Sequence, residues 1–272
     1  MANQILKSER HYIPVVTTLH GTDITLLGSH PNYKPAVTFS INESDAVTTV
    51  SQSLKKDTLN RFDIHKDIHV IPNFINFEDL GNSKDCRNNL ASENESIIVH
   101  ISNFRKVKRI PDVIKVFHKI QKDIPSKLLM IGEGPEKDKA EQLASSLRIN
   151  DNVLFLGNSN ETGRVLQHAD LFLLPSENES FGLVALEAMA HHTPVISTNV
   201  GGIPEVNIHK KTGFLFQIGD VQAMAQAAIE LLRDRKKLYH YKQAAFNHSK
   251  GFDIAYILPN YISVYKSILT CK

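Results

Sequence analysis

Short runs of apolar, often β-branched residues alternate with amphipathic stretches along nearly the whole chain. Ile13 to Leu19, Ala46 to Val50 and Ile68 to Ile71 read as strands. Ser51 is an N-cap for a helix carrying Leu54, Leu59 and Phe62. After Pro72 the periodicity stops. Residues Glu78 to Glu95, with Gly81, Asn82, Ser83, Asn88, Asn89 and Asn94, have the composition of a linker or long surface loop. A second series then begins. Ile97 to Ile101, Lys127 to Ile131, Val153 to Leu156, Leu171 to Leu174 and Pro194 to Ser197 read as strands. Between the first two, Ile110, Val113, Ile114, Phe117, Ile120 and Ile124 recur at helical spacing, and Pro135 opens the next helix. From Asp220 the chain reads as helix, with Pro259 breaking or kinking its last segment.

Strands alternating with helices in this way imply α/β architecture, parallel sheets with helices on both faces. The organisation expected is a partial N-terminal domain over residues 1–77, a linker at 78–95 and a complete doubly wound domain over 96–250. Residues 251–272 form a C-terminal helix returning toward the first domain. The strands ahead of the linker are fewer than the roughly five or six of a self-sufficient nucleotide-type domain, so the chain reads as starting inside one.

Composition narrows the class. The 272 residues are 42% hydrophobic and 22% charged, as in a soluble globular protein. Thirty-one basic against 29 acidic residues leave a net charge of +2, which argues for neither nucleic acid nor an anionic membrane. Cys86 and Cys271 fit no metal or disulfide spacing, and the N-terminus has no signal-peptide apolar core. No segment approaches membrane-spanning length. These features point to a cytoplasmic protein acting on small molecules, with oligomeric state left open.

The chemistry clusters where parallel strands end. Glu179-Ser180-Phe181-Gly182-Leu183-Val184-Ala185-Leu186-Glu187 follows the Leu171 run and places two carboxylates eight residues apart around a Phe-Gly pair. A strand-loop-helix of this kind aims backbone N–H groups and a helix dipole at one spot, which suits a phosphate. Gly182 lets a ligand approach the main chain, and Glu187 falls about two turns into the helix. An ordinary strand-to-helix connection with one capping Glu has the same spacing. After Ile101, Ser102 to Arg109 is a basic loop whose Arg105 and Lys108 could neutralise a diphosphate; a solvated loop looks alike. Gly132-Glu133-Gly134-Pro135 and Gly201-Gly202-Ile203-Pro204-Glu205 are glycine turns, and at Gly157-Asn158 a planar base could lie on the backbone. His20-Gly21-Thr22-Asp23 follows the first strand, where a lone His is often structural. His191-His192 is the one tempting metal pair, but neighbours on a helix do not face one site.

Together these motifs resemble the retaining glycosyltransferases of family 4, which have GT-B architecture, two Rossmann-like domains. The Glu-x7-Glu motif is the specific part, and the match runs from about Ile13 to the C-terminus. Thr17 to Thr25 and Ser102 to Arg105 most resemble members that transfer N-acetylglucosamine from its UDP donor to the hydroxyl of L-malate in bacillithiol biosynthesis. The resemblance implies that Glu187 holds the ribose and Glu179 the donor sugar. Phe181, Gly182 and Leu183, with Arg105 and Lys108, would stabilise the departing diphosphate, and Gly157 and Asn158 would take the base. His20 would lie by the donor sugar, with Thr22 and Asp23 on the acceptor side. No cofactor or metal is expected, since no Asp-x-Asp occurs in the chain. Two departures stand out. Family members have a longer N-terminal portion with a glycine-rich loop, so the chain reads as truncated, and Thr38 stands where malate-using members carry an arginine. A different acceptor and a non-catalytic UDP-binding remnant are the competing readings. A dinucleotide enzyme is disfavoured, because no Gly-x-Gly-x-x-Gly follows a strand.

Overall fold

The computed structural model describes residues 13–28, 30–80, 87, 90–159 and 162–270. The core of the proposed linker, 81–86 with 88 and 89, lies outside the described residues, as do Cys86 and Cys271. Contacts divide the chain into two units, residues 1–74 with 254–272 and residues 75–253. Among the described residues no helix is long and apolar enough to cross a membrane.

The smaller unit holds three parallel strands in the order β1 (Val16–Leu19), β2 (Ala46–Thr49), β3 (Ile68–Val70). β1 is shorter than the apolar run because the Val15 N–H is taken by Asp45 Oδ2 at 2.8 Å. Helix α1 is Lys34–Asn42 and α2 is Gln52–Arg61. Ser51 caps α2 as its residue type requires, its Oγ accepting from the Leu54 N–H at 3.0 Å. Leu59, expected on the apolar face, is exposed. The i+4 partner of Leu54 is the buried Thr58, whose hydroxyl satisfies itself on the Leu54 carbonyl.

The last helix of the chain, labelled α10 below (Ile254–Thr270), belongs to this unit and runs through Pro259, so that of the expected break or kink the break does not occur. The proline lies near the helix start and forfeits one backbone bond. Ile257 and Val264 bury against Ala46 and Ile71, and the Tyr261 hydroxyl donates to the Ile71 carbonyl at 3.4 Å, which offsets that loss.

The larger unit is a six-stranded parallel sheet in the order β6-β5-β4-β7-β8-β9. Its strands are β4 (Ser96–Ile101), β5 (Ser126–Ile131), β6 (Val153–Gly157), β7 (Leu171–Leu174), β8 (Val195–Thr198) and β9 (Gly213–Phe216). The intervening helices are α3 (Ile110–Gln121), α4 (Lys137–Ser146), α5 (Thr162–Leu166), α6 (Leu183–Ala190) and α7 (Ile203–Val206). Then come α8 (Val221–Arg233) and α9 (Arg235–Ser249). β9 escaped the hydropathy reading because it is short and opens on a glycine. A Cβ at Gly213 would stand 2.0 Å from the Val195 carbonyl oxygen, so only glycine brings β9 onto β8.

The core follows from the periodicity. Ile110, Val113, Ile114, Phe117 and Ile120 of α3 bury with Ile98, Leu128 and Leu171 of the strands and Met224 and Ala228 of α8. Each such aliphatic side chain contributes about 1.5–3 kcal/mol as an upper estimate. Asp170, at the start of β7, accepts from the Ile97 N–H at 3.0 Å, from Arg87 at 3.1 Å and from Lys242 at 2.8 Å. The strand order is that of a doubly wound fold whose connections reverse between β4 and β7, and ligands of such sheets bind at that reversal.

The two sides of α10 give a direct test of this packing. Ile257→Ala should lower stability by about 2–5 kcal/mol, whereas Leu258→Ala on the exposed side should change it by under about 0.5 kcal/mol. Urea unfolding midpoints read both; equal effects would contradict the assigned face.

Candidate active site

The loops after β4 and β7 close on each other. Lys108 Nζ donates to Glu179 Oε1 at 2.5 Å, and the Ser176 hydroxyl donates to the same oxygen at 2.9 Å. The two charged side chains are only 18% and 12% exposed. The Glu177 N–H donates to the Val107 carbonyl at 2.8 Å. Arg109 bridges Glu177 at 2.8 Å and Asp112 at 2.5 Å from a left-handed backbone, φ 52°. Removing one member of a pair this buried strands the other in low dielectric, a loss of about 3–5 kcal/mol. β8 is drawn in by the Thr198 hydroxyl, which donates to the Ser176 carbonyl at 2.6 Å.

Glycines allow the close approach. A Cβ at Gly201 would lie 1.9 Å from the Glu179 carbonyl oxygen, and the Gly202 N–H donates to that oxygen at 2.9 Å. Gly182, at φ 89°, is the N-cap of α6. The first N–H groups of a helix have no intrahelical acceptor, which leaves those of Leu183 and Val184 to a ligand at the head of α6. Phe181 is buried edge-on to Phe252, and Leu183 is exposed.

Glu187 is the fifth residue of α6. It stands little more than one turn from the helix start, not two, because α6 begins only at Leu183. Burial pushes its carboxyl above the usual range, and among the described residues it has no hydrogen-bond or ion-pair partner. Arg105 is likewise exposed and unpaired among the described residues, whereas Lys108 is held by Glu179.

The edge continues toward β6. A Cβ at Gly132, φ 126°, would sit 1.8 Å from the Ser102 carbonyl oxygen. The Gly132 N–H donates to Gly157 O at 2.8 Å, and Phe104 N–H to Glu133 O at 3.0 Å. α4 begins at Lys137 rather than at Pro135: Glu136, at φ −93° and ψ 2°, is its N-cap, and the Glu136 N–H donates to the Phe104 carbonyl at 2.9 Å. Gly157, at φ 66°, ends β6 and the exposed Asn158 follows, with β5 and β4 between them and β7.

His20, Thr22 and Asp23 belong to the smaller unit. His20 and Thr22 are exposed. Asp23 Oδ1 accepts from the Gly21 N–H at 2.7 Å and so shapes the π-helical turn Asp23–Leu27 that it opens. Thr38, in α1, is half-buried and its hydroxyl donates to the Lys34 carbonyl at 2.9 Å.

Two polar residues were not singled out from sequence. Ser176 is fully buried beneath Glu179. His100 is fully buried in β4, with Nδ1 at 2.8 Å from the Leu173 carbonyl and Nε2 at 2.8 Å from Ser102 Oγ. A carbonyl only accepts, so Nδ1 carries the proton and Nε2 receives the Ser102 hydroxyl. Burial, opposed by that bond to Leu173, lowers its pKa to about 4, and the ring is neutral at neutral pH. Its signal was a polar residue inside an otherwise apolar strand. His191 and His192 also correct the sequence reading: α6 ends at Ala190 and His192 is left-handed, φ 59°, so both line one cavity of about 670 Å³ with Phe77, Tyr239 and Phe246. His192 stacks on Phe246 at 3.9 Å, and burial lowers the pKa of both histidines. That cavity lies at the other end of α6 from Gly182.

Known proteins with similar sequences and folds narrow the chemistry. Residues 82–248 match the family described as Glycosyl transferases group 1, and residues 2–79 match Glycosyltransferase Family 4. Over 228 residues the chain is 48% identical to an N-acetyl-alpha-D-glucosaminyl L-malate synthase of Bacillus anthracis, covering 82% of this chain and 60% of that protein. It is 31% identical to a glycosyltransferase of Methanocaldococcus jannaschii, covering 82% and 61%. The chain thus spans about 60% of the length of these relatives. Anabaena HepE, solved in complex with UDP and glucose, superposes with a TM-score of 0.86 at 21% identity, covering 98% of this chain and 74% of HepE. That likeness speaks for the fold alone, which is GT-B.

The buried neutral histidine makes a pH prediction. The folded state resists protonation until about pH 4, while the unfolded chain takes up the proton near pH 6.5. His100 therefore contributes stability that is intact above pH 6.5 and lost as pH falls toward 4, about 3 kcal/mol in all. Urea unfolding at several pH values should show that His100→Phe removes this part of the acid sensitivity. A wild-type-minus-variant difference that does not change with pH would contradict a neutral buried ring.

Proposed function

The chain belongs to the group 1 glycosyl transferases, and from that premise we propose a retaining transferase that moves N-acetylglucosamine from UDP-N-acetylglucosamine to the hydroxyl of L-malate. It would act in the cytoplasm, in bacillithiol biosynthesis. The observation that carries this reading is the crevice between the β4 and β7 loops. There Lys108 meets Glu179, the exposed Arg105 stands on the same loop as Lys108, and Gly182 heads α6. The 48% identity to the malate synthase of Bacillus anthracis supports the donor and the acceptor.

In the reaction, the bond from the sugar's anomeric carbon to the diphosphate oxygen breaks, and a bond to the malate hydroxyl oxygen forms on the same face. The hydroxyl proton passes to the departing phosphate oxygen, so no protein nucleophile is required. Negative charge grows on the diphosphate as it leaves. Arg105, Lys108 and the N–H groups at the start of α6 oppose that charge where it develops. Glu179, already oriented by Ser176 and Lys108, would accept from sugar hydroxyls. Glu187, half-buried and without a partner among the described residues, suits the ribose hydroxyls. His20 of the smaller unit would serve beside the donor sugar, and Thr22 and Asp23 on the acceptor side. The proposal includes no metal ion, in keeping with a chain without Asp-x-Asp.

An acceptor other than a dicarboxylate is the second reading. Thr38 favours it, since its hydroxyl is turned back on Lys34 and offers no charge to a carboxylate.

Mass spectrometry of the chain incubated with UDP-N-acetylglucosamine and L-malate should find the mass of N-acetylglucosaminyl malate. Glu187→Ala should weaken UDP binding by roughly ten- to a hundredfold, the loss of hydrogen bonds to a charged group. Glu179→Ala should impair use of the sugar-bearing donor more than binding of free UDP. Unchanged UDP affinity in Glu187→Ala would remove the role given to that residue, and UDP binding without product would leave a donor-binding unit that does not transfer.

A further inference from the structure

β4 and β7 pair at two levels only, Ile98 with Leu171 and Val99 with Phe172. At the next level the ladder stops, and a side chain joins the two strands. The Nδ1–H of His100 donates to the Leu173 carbonyl, and its Nε2 accepts from the Ser102 hydroxyl, each at 2.8 Å. Leu173 lies three residues before Ser176, which orients Glu179. Ser102 is the first residue of the loop that carries Arg105 and Lys108. One buried ring therefore joins the roots of both loops. Phe172 stacks on one side of it at 6.4 Å and 15°, and Phe104 lies tilted at 6.1 Å, so the ring has little room to turn.

The chemistry of this position calls for histidine. The strut needs a donor at one end and an acceptor at the other, held at fixed separation on a rigid plane. A phenyl ring has the plane without the polar ends, and a serine is too short. The charged group whose field reaches the ring is Lys108, itself bound to Glu179. A neutral ring bears no charge to push Lys108 off that partner.

We infer that His100 is a positioning residue for the transfer reaction, fixing through Leu173 and Ser102 the separation of the Lys108 loop from the Glu179 loop. This rests on the transferase reading of the same crevice. Misplacement of reacting groups by about 1 Å can lower turnover a hundredfold, so the strut's effect should fall on kcat more than on binding.

Two variants test it: His100→Phe, which keeps the ring, and Ser102→Ala, which cuts the upper bond at a half-buried loop residue and leaves the core filled. Lys108 reactivity is read by acetylation with acetic anhydride and peptide mass spectrometry, with the exposed Lys139 as internal reference. Both variants should raise Lys108 acetylation by about fivefold or more as the loop loosens. They should lower kcat with UDP-N-acetylglucosamine and L-malate by roughly ten- to a hundredfold, with UDP affinity held within about threefold. Unchanged acetylation in folded Ser102→Ala would overturn the strut. Raised acetylation with unchanged kcat would overturn its part in transfer. A wild-type chain that binds no UDP would overturn the transferase reading and the positioning role with it, and acetylation would still decide the strut itself.

Discussion

Everything at the carboxyl edge of the larger sheet depends on the bond between Lys108 and Glu179. The two residues come from loops after strands that are neighbours in space and far apart in sequence, and their charges meet where little water reaches. A pair so placed gains less from attraction than it would lose if one member were taken away. It therefore acts as a specification: the loops fit when both charges are present. Ser176 beneath and Arg109 beside it, bound to Glu177 and Asp112, extend that specification to the neighbouring backbone.

Backbone contact makes the arrangement tight enough to matter. Gly132 and Gly201 stand where any side chain would overlap a carbonyl oxygen of the adjoining loop, at Ser102 and Glu179 respectively. The loops are thus laid against one another as a rim, from Gly157 through Gly132 to the loop of Ser102 and Lys108, and from Lys108 to Glu179 and Gly201. A rim of this kind fixes a few polar groups at one place on a rigid sheet, which suits recognition of a diphosphate with sugars on either side. Arg105 and Glu187, which have no partner among the described residues, are of opposite charge and stand on different elements.

Much of this was legible in the residue order. The apolar runs gave the strands because parallel strands buried on both faces need continuous Val, Ile and Leu, and the Glu179 to Glu187 motif followed the strand to which it belongs. What escaped reading shares one cause: it depended on contacts between distant segments. The phase of Glu187 hung on where α6 starts, which Gly182 decides by its left-handed backbone. The start of α4 hung on the backbone of Glu136, whose N–H bonds to the distant Phe104 carbonyl. β9 was hidden because Gly213 is there for the sake of Val195. His100 looked like one polar residue in an apolar strand, and its two partners came into view only once β4 and β7 were side by side.

The central claim is that the crevice between the β4 and β7 loops is the diphosphate site, and amide chemical shifts test it most directly. In a titration of the 15N-labelled chain with UDP, the largest shifts should fall at Lys108, Gly157, Gly182 and Leu183. Shifts that leave those amides still and gather instead around Ala190, His192 and Phe246 would move the ligand to the far end of α6 and contradict the account.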